Sequence, residues 1–308
     1  MLSALLMASA LALGYATESA PASSAPEAPP TTAISIRKQV DEVQVTFIVD
    51  AGQKPLTRLS EEQFTVFDGN QRVASFTSFG QESDLPLRIG LLVDHSDSMQ
   101  KGFAQELQAA RSFLQRVVRP RADGVFLLDF THLMKFSTPD LDKGELLSPD
   151  LNSLLPQGQT ALYDAVFAAA RFPLMNARES QPGRRVLILL SDGEDNDSRH
   201  SLADALEALQ GADIMIYAVT AHGRRYQSDG DEVLEALSET TGGRAFVLNS
   251  YSEADAVFAT IAQELRSRYT VSFRPPSPGR CGYHRLRVAP RDHSFRVRAR
   301  AGYYACAR

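Results

Sequence analysis

The chain has 308 residues and contains only two cysteines, Cys281 and Cys306. No Cys-x-x-Cys or Cys/His spacing accompanies them, so the sequence gives no sign of a structural zinc site. Basic residues are also fewer than acidic ones, 32 against 37, which gives a formal net charge of −5. Because nucleic-acid binding depends on a basic surface, we expect no nucleic-acid partner.

Two common catalytic signatures are missing. The chain has no Gly-x-x-x-x-Gly-Lys-Ser/Thr loop for nucleotide phosphates and no Gly-x-Ser-x-Gly turn of a serine hydrolase. A long apolar run is missing as well, apart from Leu2–Ala16, which is shorter than the roughly 20 residues of a membrane-spanning helix.

The N-terminal residues 1–16 are similar to the apolar region of a signal peptide, although no Lys or Arg precedes Arg37. We therefore expect an exported protein, periplasmic or extracellular, with no integral membrane span after signal removal. Residues 17–33 are rich in Pro, Ala, Ser and Thr, which predicts a flexible linker. In an exported protein the two cysteines would form a disulfide, and free thiols are the alternative.

Short alternating apolar segments stand on both sides of the central region. In residues 34–85 the pattern Val43, Val45, Phe47 and Val49 places four apolar side chains on one face of a strand. Residues 269–308 return to short strand-like runs. We predict that the two segments pair and form one small β-sandwich, with the central region inserted between them.

The central region, residues 86–268, alternates strand-like and helix-like patterns, which predicts an α/β fold with a doubly wound, mostly parallel sheet. The predicted strands lie near residues 88–94, 124–130, 185–191, 213–219 and 244–248, with a short antiparallel edge strand near 133–137. The predicted helices lie at 99–118, 161–171 and 253–266. For the last of them, Ser252 and Asp255 have the spacing of a capping box.

Five oxygen-bearing side chains follow elements of this sheet. They are Asp94, Ser96 and Ser98 after the first strand, Thr160 before a helix, and Asp192 after a second strand. Loops beyond the carboxyl ends of neighbouring parallel strands converge on one crevice, so we expect these side chains to meet there. Two carboxylates and three hydroxyls suit Mg²⁺ or Mn²⁺.

This pattern resembles the metal-ion-dependent adhesion site (MIDAS) of the von Willebrand factor type A (VWA) domain family, and the flanking segments resemble bacterial secreted VWFA-related proteins. The resemblance implies a Rossmann-like fold. It also implies that Ser96 and Ser98 bind the metal directly, and that Thr160 and Asp192 bind it directly or through water. The family usually has a small residue between the two serines, and here Asp97 adds a carboxylate.

The resemblance implies adhesion or assembly: a non-enzymatic binding protein in which an acidic protein or polysaccharide ligand completes the metal shell. Two alternatives stay open, namely a Mg²⁺-dependent hydrolase or phosphoryl-transfer enzyme, and a structural VWA scaffold without metal-dependent binding. The ligand, the metal preference and the oligomeric state are not specified by the sequence.

Several of these residues also have structural interpretations. Ser96 or Ser98 could cap the helix that follows, and Thr160 could cap the helix at 161–171. Asp195 and Asp197 are read as solvated loop carboxylates, with an additional Ca²⁺ site as the alternative.

The chain end is rich in arginine, with eleven Arg and one acidic residue from Arg266 to Arg308. The alternating arginines at 285 and 287, and at 296, 298 and 300, are expected to line one solvated sheet face. Contact with an anionic surface is the alternative interpretation.

Overall fold

The computed structural model describes residues 42–52, 54–81, 85–100, 103–141, 154–175, 183–220 and 228–305. The strands are β1 Val43–Ala51, β2 Lys54–Pro55, β3 Phe64–Asp68, β4 Gln71–Arg72, β5 Ser78–Gln81, β6 Leu87–Asp94, β7 Gly124–Phe130, β8 Met134–Ser137, β9 Arg184–Leu190, β10 Ile214–Thr220, β11 Arg244–Val247, β12 Tyr269–Phe273, β13 Gly282–Pro290, β14 Arg296–Ala299 and β15 Gly302–Ala305. The helices are α1 Phe103–Val117, α2 Leu162–Arg171, α3 Leu202–Gly211, α4 Asp229–Thr241 and α5 Ala254–Arg266. The signal-like residues 1–16 and the linker 17–33 lie outside the described residues. Within the described ranges, no helix has the length and apolar character that a membrane crossing requires.

The central unit is a doubly wound α/β sheet, as the sequence predicts. Its strand order is β11-β10-β9-β6-β7-β8, and β8 is the antiparallel edge strand. Buried residues of α1 and α5 form a core on one face of the sheet, and those of α2, α3 and α4 form a core on the other. Helices therefore cover both faces, which explains why β6 is buried along its whole length.

The predicted pairing of the N- and C-terminal segments is found. Strand β1 pairs with β12 and β14, and β3 pairs with β13. The two resulting sheets, β14-β1-β12-β5 and β15-β13-β3-β4, share one apolar core that includes the four predicted β1 residues. Cys281 beside β13 is disulfide-bonded, and the other cysteine of the chain, Cys306, lies outside the described residues.

Two predicted helix starts are wrong. Residues 99 and 100, predicted to open the first helix, lie instead in a 3-10 turn, Asp97–Gln100, and α1 is described from Phe103. The capping box predicted for Ser252 does not form: Glu253 occupies the N-cap position of α5, and the Ser252 hydroxyl donates to Ser250 Oγ at 3.2 Å. A 3-10 turn precedes each of these helices, at Asp97–Gln100 and at Tyr251–Glu253.

The expectation of one solvated arginine face is wrong for β14, although it holds for the exposed arginines of β13. Arg298 is largely buried and pairs with Glu264 of α5, with N–O distance 2.6 Å. Arg300 pairs with Asp213 at 2.9 Å. Arg298 and Arg300 therefore face the α/β unit, and of the alternating arginines at 296, 298 and 300 only Arg296 is exposed.

Asp123 fixes the start of β6. Its buried carboxylate accepts hydrogen bonds from the backbone N–H of Leu87 at 2.7 Å and of Arg119 at 2.8 Å. The Arg119 guanidinium also donates to it, at 2.9 Å. Burial tends to raise the pKa of Asp123, but the hydrogen bonds from Arg119 and Leu87 outweigh burial and lower it.

We predict that Asp123→Asn lowers the free energy of unfolding at pH 7 by about 1–3 kcal/mol, since the amide faces donors that it cannot satisfy. Because the folded-state pKa of Asp123 lies below its unfolded value, the stability that its ionised form contributes is present at neutral pH. That contribution is lost as the pH falls through the folded-state pKa. In urea unfolding, the difference in free energy of unfolding between wild type and variant should decrease below about pH 4. A difference in free energy of unfolding that does not change with pH would contradict this prediction.

Candidate metal centre

Asp94 ends the buried strand β6, which lies between β7 and β9 at the middle of the sheet. The parallel register pairs Val93 with Leu190, so Ser191 follows directly beside Asp94. The carboxylate of Asp94 accepts hydrogen bonds from the Ser96 backbone N–H at 2.9 Å and from the Ser191 hydroxyl at 2.7 Å. The side chain is therefore held in one orientation at the carboxyl end of the sheet.

Burial raises the pKa of Asp94 to about 6. Hydrogen bonds from Ser191 and Ser96 act in the opposite direction, and the negative charge of Asp192 adds to the increase. The two carboxylates thus interact electrostatically across the two loops. A divalent cation between them would relieve both the burial of charge and the mutual repulsion.

The two serines lie side by side. The hydroxyl oxygens of Ser96 and Ser98 are 3.2 Å apart. Ser96 is buried, whereas Ser98 is exposed. The loop that carries them is fixed by the backbone N–H of Asp97, which donates to the Gly158 carbonyl at 3.1 Å. Neutral hydroxyl oxygens at this separation are suitable ligands for one hard cation.

Thr160 reaches the same end of the sheet through a loop that is tied to the segment after β9. Its backbone N–H donates to Asn196 Oδ1 at 2.9 Å, and its carbonyl accepts from the N–H groups of Asn196 and Asp197, both at 3.0 Å. The capping alternative for Thr160 is wrong, because Ala161 occupies the N-cap position of α2. The buried Thr160 hydroxyl therefore has no capping role.

Asp192 is half-buried and accepts a hydrogen bond from the Glu194 backbone N–H at 3.1 Å. The chain turns sharply at Gly193, where φ is +82°. A Cβ at Gly193 would collide with the carbonyl oxygen of Gly230 in the first turn of α4. Glycine is therefore required at position 193, and its contact with α4 fixes where the Asp192 loop leaves the sheet.

Two further acids organise these loops. Asp195 accepts from the Tyr163 backbone N–H at 3.2 Å, at the start of α2, so it is not the solvated carboxylate that the sequence predicts. Asp164 accepts from the backbone N–H and the ring Nδ1 of His200, at 2.8 and 2.6 Å. Asp195 therefore has a structural role, which gives no support to a calcium site; Asp197 is exposed.

Glu106 on α1 was not singled out by sequence reasoning. Its side chain is buried, and both carboxylate oxygens lack a hydrogen-bond partner among the described residues. Burial raises its pKa to about 8, with further contributions from the charges of Asp94 and Asp192. The visible clue is its position three residues after Phe103, on the apolar face of the helix.

The donor set fits a hard divalent cation such as Mg²⁺. Asp94, Ser96, Ser98, Thr160 and Asp192 offer only oxygen, and the unpartnered carboxylate of Glu106 lies close enough to interact with Asp94 and Asp192. In the part of the chain that the structure describes, His, Cys, Asp and Glu do not gather in groups of three or more that could hold a metal. The candidate site therefore depends on its hydroxyl ligands.

A groove of about 670 Å³ adjoins the serine loop. Gly158 lines it together with His95, whose Nε2 lies 3.6 Å from Asp129 Oδ1. His95 thus faces this groove. Leu133 also lines the groove and is 69% exposed. The surface beside the candidate centre therefore offers apolar contact as well as imidazole and carboxylate groups.

The chain matches the sequence model of the von Willebrand factor type A domain over residues 89–260. Comparison with curated proteins gives no match. The solved structure of proximal thread matrix protein 1 from the mussel byssus is 16% identical, with a TM-score of 0.47, and the match covers 64% of this chain and 51% of that one. This chain thus spans about half the length of the byssus protein.

Two further solved structures are similar. A structure of the byssus protein with a zinc-occupied MIDAS motif is 18% identical, with a TM-score of 0.46 and coverage of 61% of this chain and 50% of that chain. BatB from Bacteroides thetaiotaomicron is 18% identical, with a TM-score of 0.40 and coverage of 58% of this chain and 98% of that chain.

The match to the family model begins inside β6 and ends inside α5, so it includes the described strands and helices of the α/β unit between them. The sandwich strands, from β1 to β5 and from β12 to β15, lie outside it. Since the match covers more than half of the 308 residues, the chain belongs to the von Willebrand factor type A domain family.

Proposed function

We propose that the protein is an exported, non-enzymatic binding protein that recognises a carboxylate-bearing protein or polysaccharide through a bound Mg²⁺ or Mn²⁺. The proposed ligands of the metal are Asp94, Ser96, Ser98, Thr160 and Asp192. The observation that carries this proposal is the convergence of three separate loops, tied to one another by backbone hydrogen bonds, at the carboxyl end of β6 and β9.

The charge of the donor set supports ligand binding by the metal. Asp94 and Asp192 together balance a divalent cation, and the three hydroxyls add no charge. A cation in this site keeps its attraction for an external oxygen, and Mg²⁺ retains exchangeable water positions in an octahedral shell. A carboxylate of a partner would replace one such water.

The adjoining groove supports a ligand larger than a single carboxylate. It lies beside Gly158, whose carbonyl holds the serine loop, and it exposes Leu133 and Met134. Atoms that flank the metal-bound carboxylate would contact these side chains. Exposed apolar side chains beside a polar centre are typical of interaction sites.

The geometry gives the hydrolase alternative less support. An aspartyl-phosphate mechanism needs a carboxylate oxygen that a phosphoryl group can reach. Asp94 is 0% exposed, and each of its two oxygens accepts a hydrogen bond. Reaction at that carboxylate would require the loss of these interactions.

Surface plasmon resonance with immobilised poly-L-glutamate and hyaluronan tests the proposal, with dextran as the uncharged control. The full chain is expected to bind the carboxylate polymers in MnCl₂ and to release them in EDTA. Thr160→Val, which removes one hydroxyl ligand and keeps the shape of the side chain, should weaken binding at least about tenfold. Thr65→Val on β3, away from the site, is the matched control and should bind as the wild type does.

Two outcomes would contradict the proposal. Binding of equal strength in MnCl₂ and EDTA would assign recognition to the exposed arginines of β13, Arg285 and Arg287, and thus to an anionic surface. Phosphatase activity that is lost in Asp94→Asn would favour the hydrolase alternative.

A further inference from the structure

Glu106 is unusual among the buried polar groups of the described residues. Several buried nitrogens and hydroxyls lack a partner, but Glu106 is the one carboxylate there with both oxygens buried and unpartnered. Its side chain is 1% exposed. The apolar face of α1 on which it lies contains Phe103, Leu107 and Ala110, all buried. Among the described residues, therefore, no donor forms a hydrogen bond with Glu106.

Such an arrangement is costly in a folded core. A buried polar group without a partner costs about 1–3 kcal/mol, and an ionised one costs more. A leucine at position 106 would continue the apolar face of the helix at no such cost. A carboxylate at this position implies an interaction partner that the polypeptide itself does not supply.

The position of Glu106 indicates what that partner is. Helix α1 follows directly after the loop that carries Ser96 and Ser98. The negative charges of Asp94 and Asp192 both act on Glu106, so Glu106 lies within electrostatic reach of the candidate centre, although these three acids do not form a direct coordinating cluster. A cation at the centre, with the water that it carries, would offset the repulsion among these charges and give Glu106 a partner.

We propose that Glu106 is a further residue of the metal centre, and that its carboxylate binds the hydrated cation from the side of α1. This inference rests on the proposed function, because it presupposes the cation at Asp94 and Asp192. A third carboxylate strengthens the binding of the cation, since affinity for hard cations rises with the number of charged ligands. It also reduces the positive charge that remains for an external anion.

Isothermal titration calorimetry of the full chain with MnCl₂ tests the role of Glu106. Glu106→Gln keeps the size of the side chain and removes its charge. The Kd for Mn²⁺ is expected to rise about 10- to 100-fold, as for other outer-shell partners of metal sites. Glu235→Gln on the exposed face of α4 removes the same charge far from the centre and should leave the Kd unchanged.

A second variant separates a metal-binding role from a structural one. Glu106→Leu should raise the Tm of the metal-free protein, because it removes an unpartnered buried carboxylate, and should reduce the increase in Tm that MnCl₂ produces. A purely structural residue would give a lower Tm without metal and an unchanged increase with metal.

Asp94→Asn distinguishes failure of this inference from failure of the proposed site. If Asp94→Asn loses Mn²⁺ binding while Glu106→Gln keeps the wild-type Kd, Glu106 is not part of the centre and the inference is wrong. If Asp94→Asn also keeps the wild-type Kd, the cation binds elsewhere, and both the site and the role of Glu106 are overturned.

Discussion

Arg298→Met is expected to lower the free energy of unfolding by about 3–5 kcal/mol, because it leaves a buried carboxylate without its counter-charge. The Arg298 side chain on β14 is 10% exposed, and that of Glu264 on α5 is 2% exposed. Their nitrogen and oxygen lie 2.6 Å apart, and Asp50 of β1 lies 3.6 Å from Arg298 Nε. Urea unfolding at pH 7, followed by circular dichroism, measures the loss.

The matched control is Arg296→Met, on the same strand. Arg296 is exposed and its replacement should change the free energy of unfolding by less than about 0.5 kcal/mol. The double variant Arg298→Met, Glu264→Leu should recover part of the lost stability, since replacing both members of a buried ion pair by apolar residues is often nearly neutral. Equal losses in Arg298→Met and Arg296→Met would show that the buried pair contributes nothing.

This ion pair connects the β-sandwich to the helix that ends the α/β unit. Helix α5 is followed within a few residues by β12, which pairs with β1. The Arg298–Glu264 contact adds a second link, from β14 to the last turn of α5. The sandwich therefore holds the C-terminal end of α5 through two separate contacts.

The strands of the α/β unit were predictable because both faces of a covered parallel sheet are apolar. The predicted strand 88–94 is β6 Leu87–Asp94, and the edge strand near 133–137 is β8. The predicted sandwich followed from alternation alone, with Val43, Val45 and Phe47 on one face. The spacing of apolar residues shows which faces of a strand are buried, and these strands are recognisable because one or both of their faces are buried.

Features set by contacts between distant loops were not predictable from local sequence. Residues 97–100 form a 3-10 turn instead of the predicted start of the first helix, and Asp97 in this turn donates to the carbonyl of Gly158, sixty-one positions along the chain. Asp195 reads as a loop carboxylate, but it caps α2 from another loop. Neither of these two hydrogen bonds between loops produces a recognisable pattern in the local sequence.

Two charged residues lie on buried faces of their elements, and the sequence pattern alone did not reveal their roles. Arg298 has the alternation of a solvated face, yet that face of β14 packs against the α/β unit. Glu106 lies on the apolar face of α1 among Phe103, Leu107 and Ala110. The apolar periodicity of these neighbours predicts the helix but gives no role for the one charged residue among them. A charge at an otherwise apolar position is itself an observation, and at Glu106 it is the basis for the proposed role in the metal centre.

Asp94→Asn is expected to abolish the stabilisation of the protein by Mg²⁺. At a metal concentration of 100 times Kd, binding should stabilise the wild type by about 2.7 kcal/mol, a shift in Tm on the order of 5–10 °C. The variant removes the charge of Asp94 from the proposed metal centre and should show no shift. Differential scanning calorimetry in MgCl₂, compared with EDTA, measures the difference.

Asparagine is the informative replacement because it keeps the local hydrogen bonds. Its amide oxygen can accept from the Ser96 backbone N–H, and the Ser191 hydroxyl can rotate to accept from its amide nitrogen. The apo protein should therefore stay folded, and since burial raises the pKa of Asp94, removal of the charge should not destabilise it. Asp197→Asn, at an exposed carboxylate of the neighbouring loop, is the control and should keep the full shift.

The three possible results distinguish a metal centre at Asp94 from a cation bound elsewhere and from a structural scaffold without metal. A shift in the wild type that disappears in Asp94→Asn places the cation at the end of β6, as metal-mediated recognition requires. An equal shift in both proteins would place the cation elsewhere and remove the basis of the proposed function. No shift in the wild type at any concentration of Mg²⁺ or Mn²⁺ would leave a structural VWA scaffold, in which Asp94 serves only to hold Ser96 and Ser191.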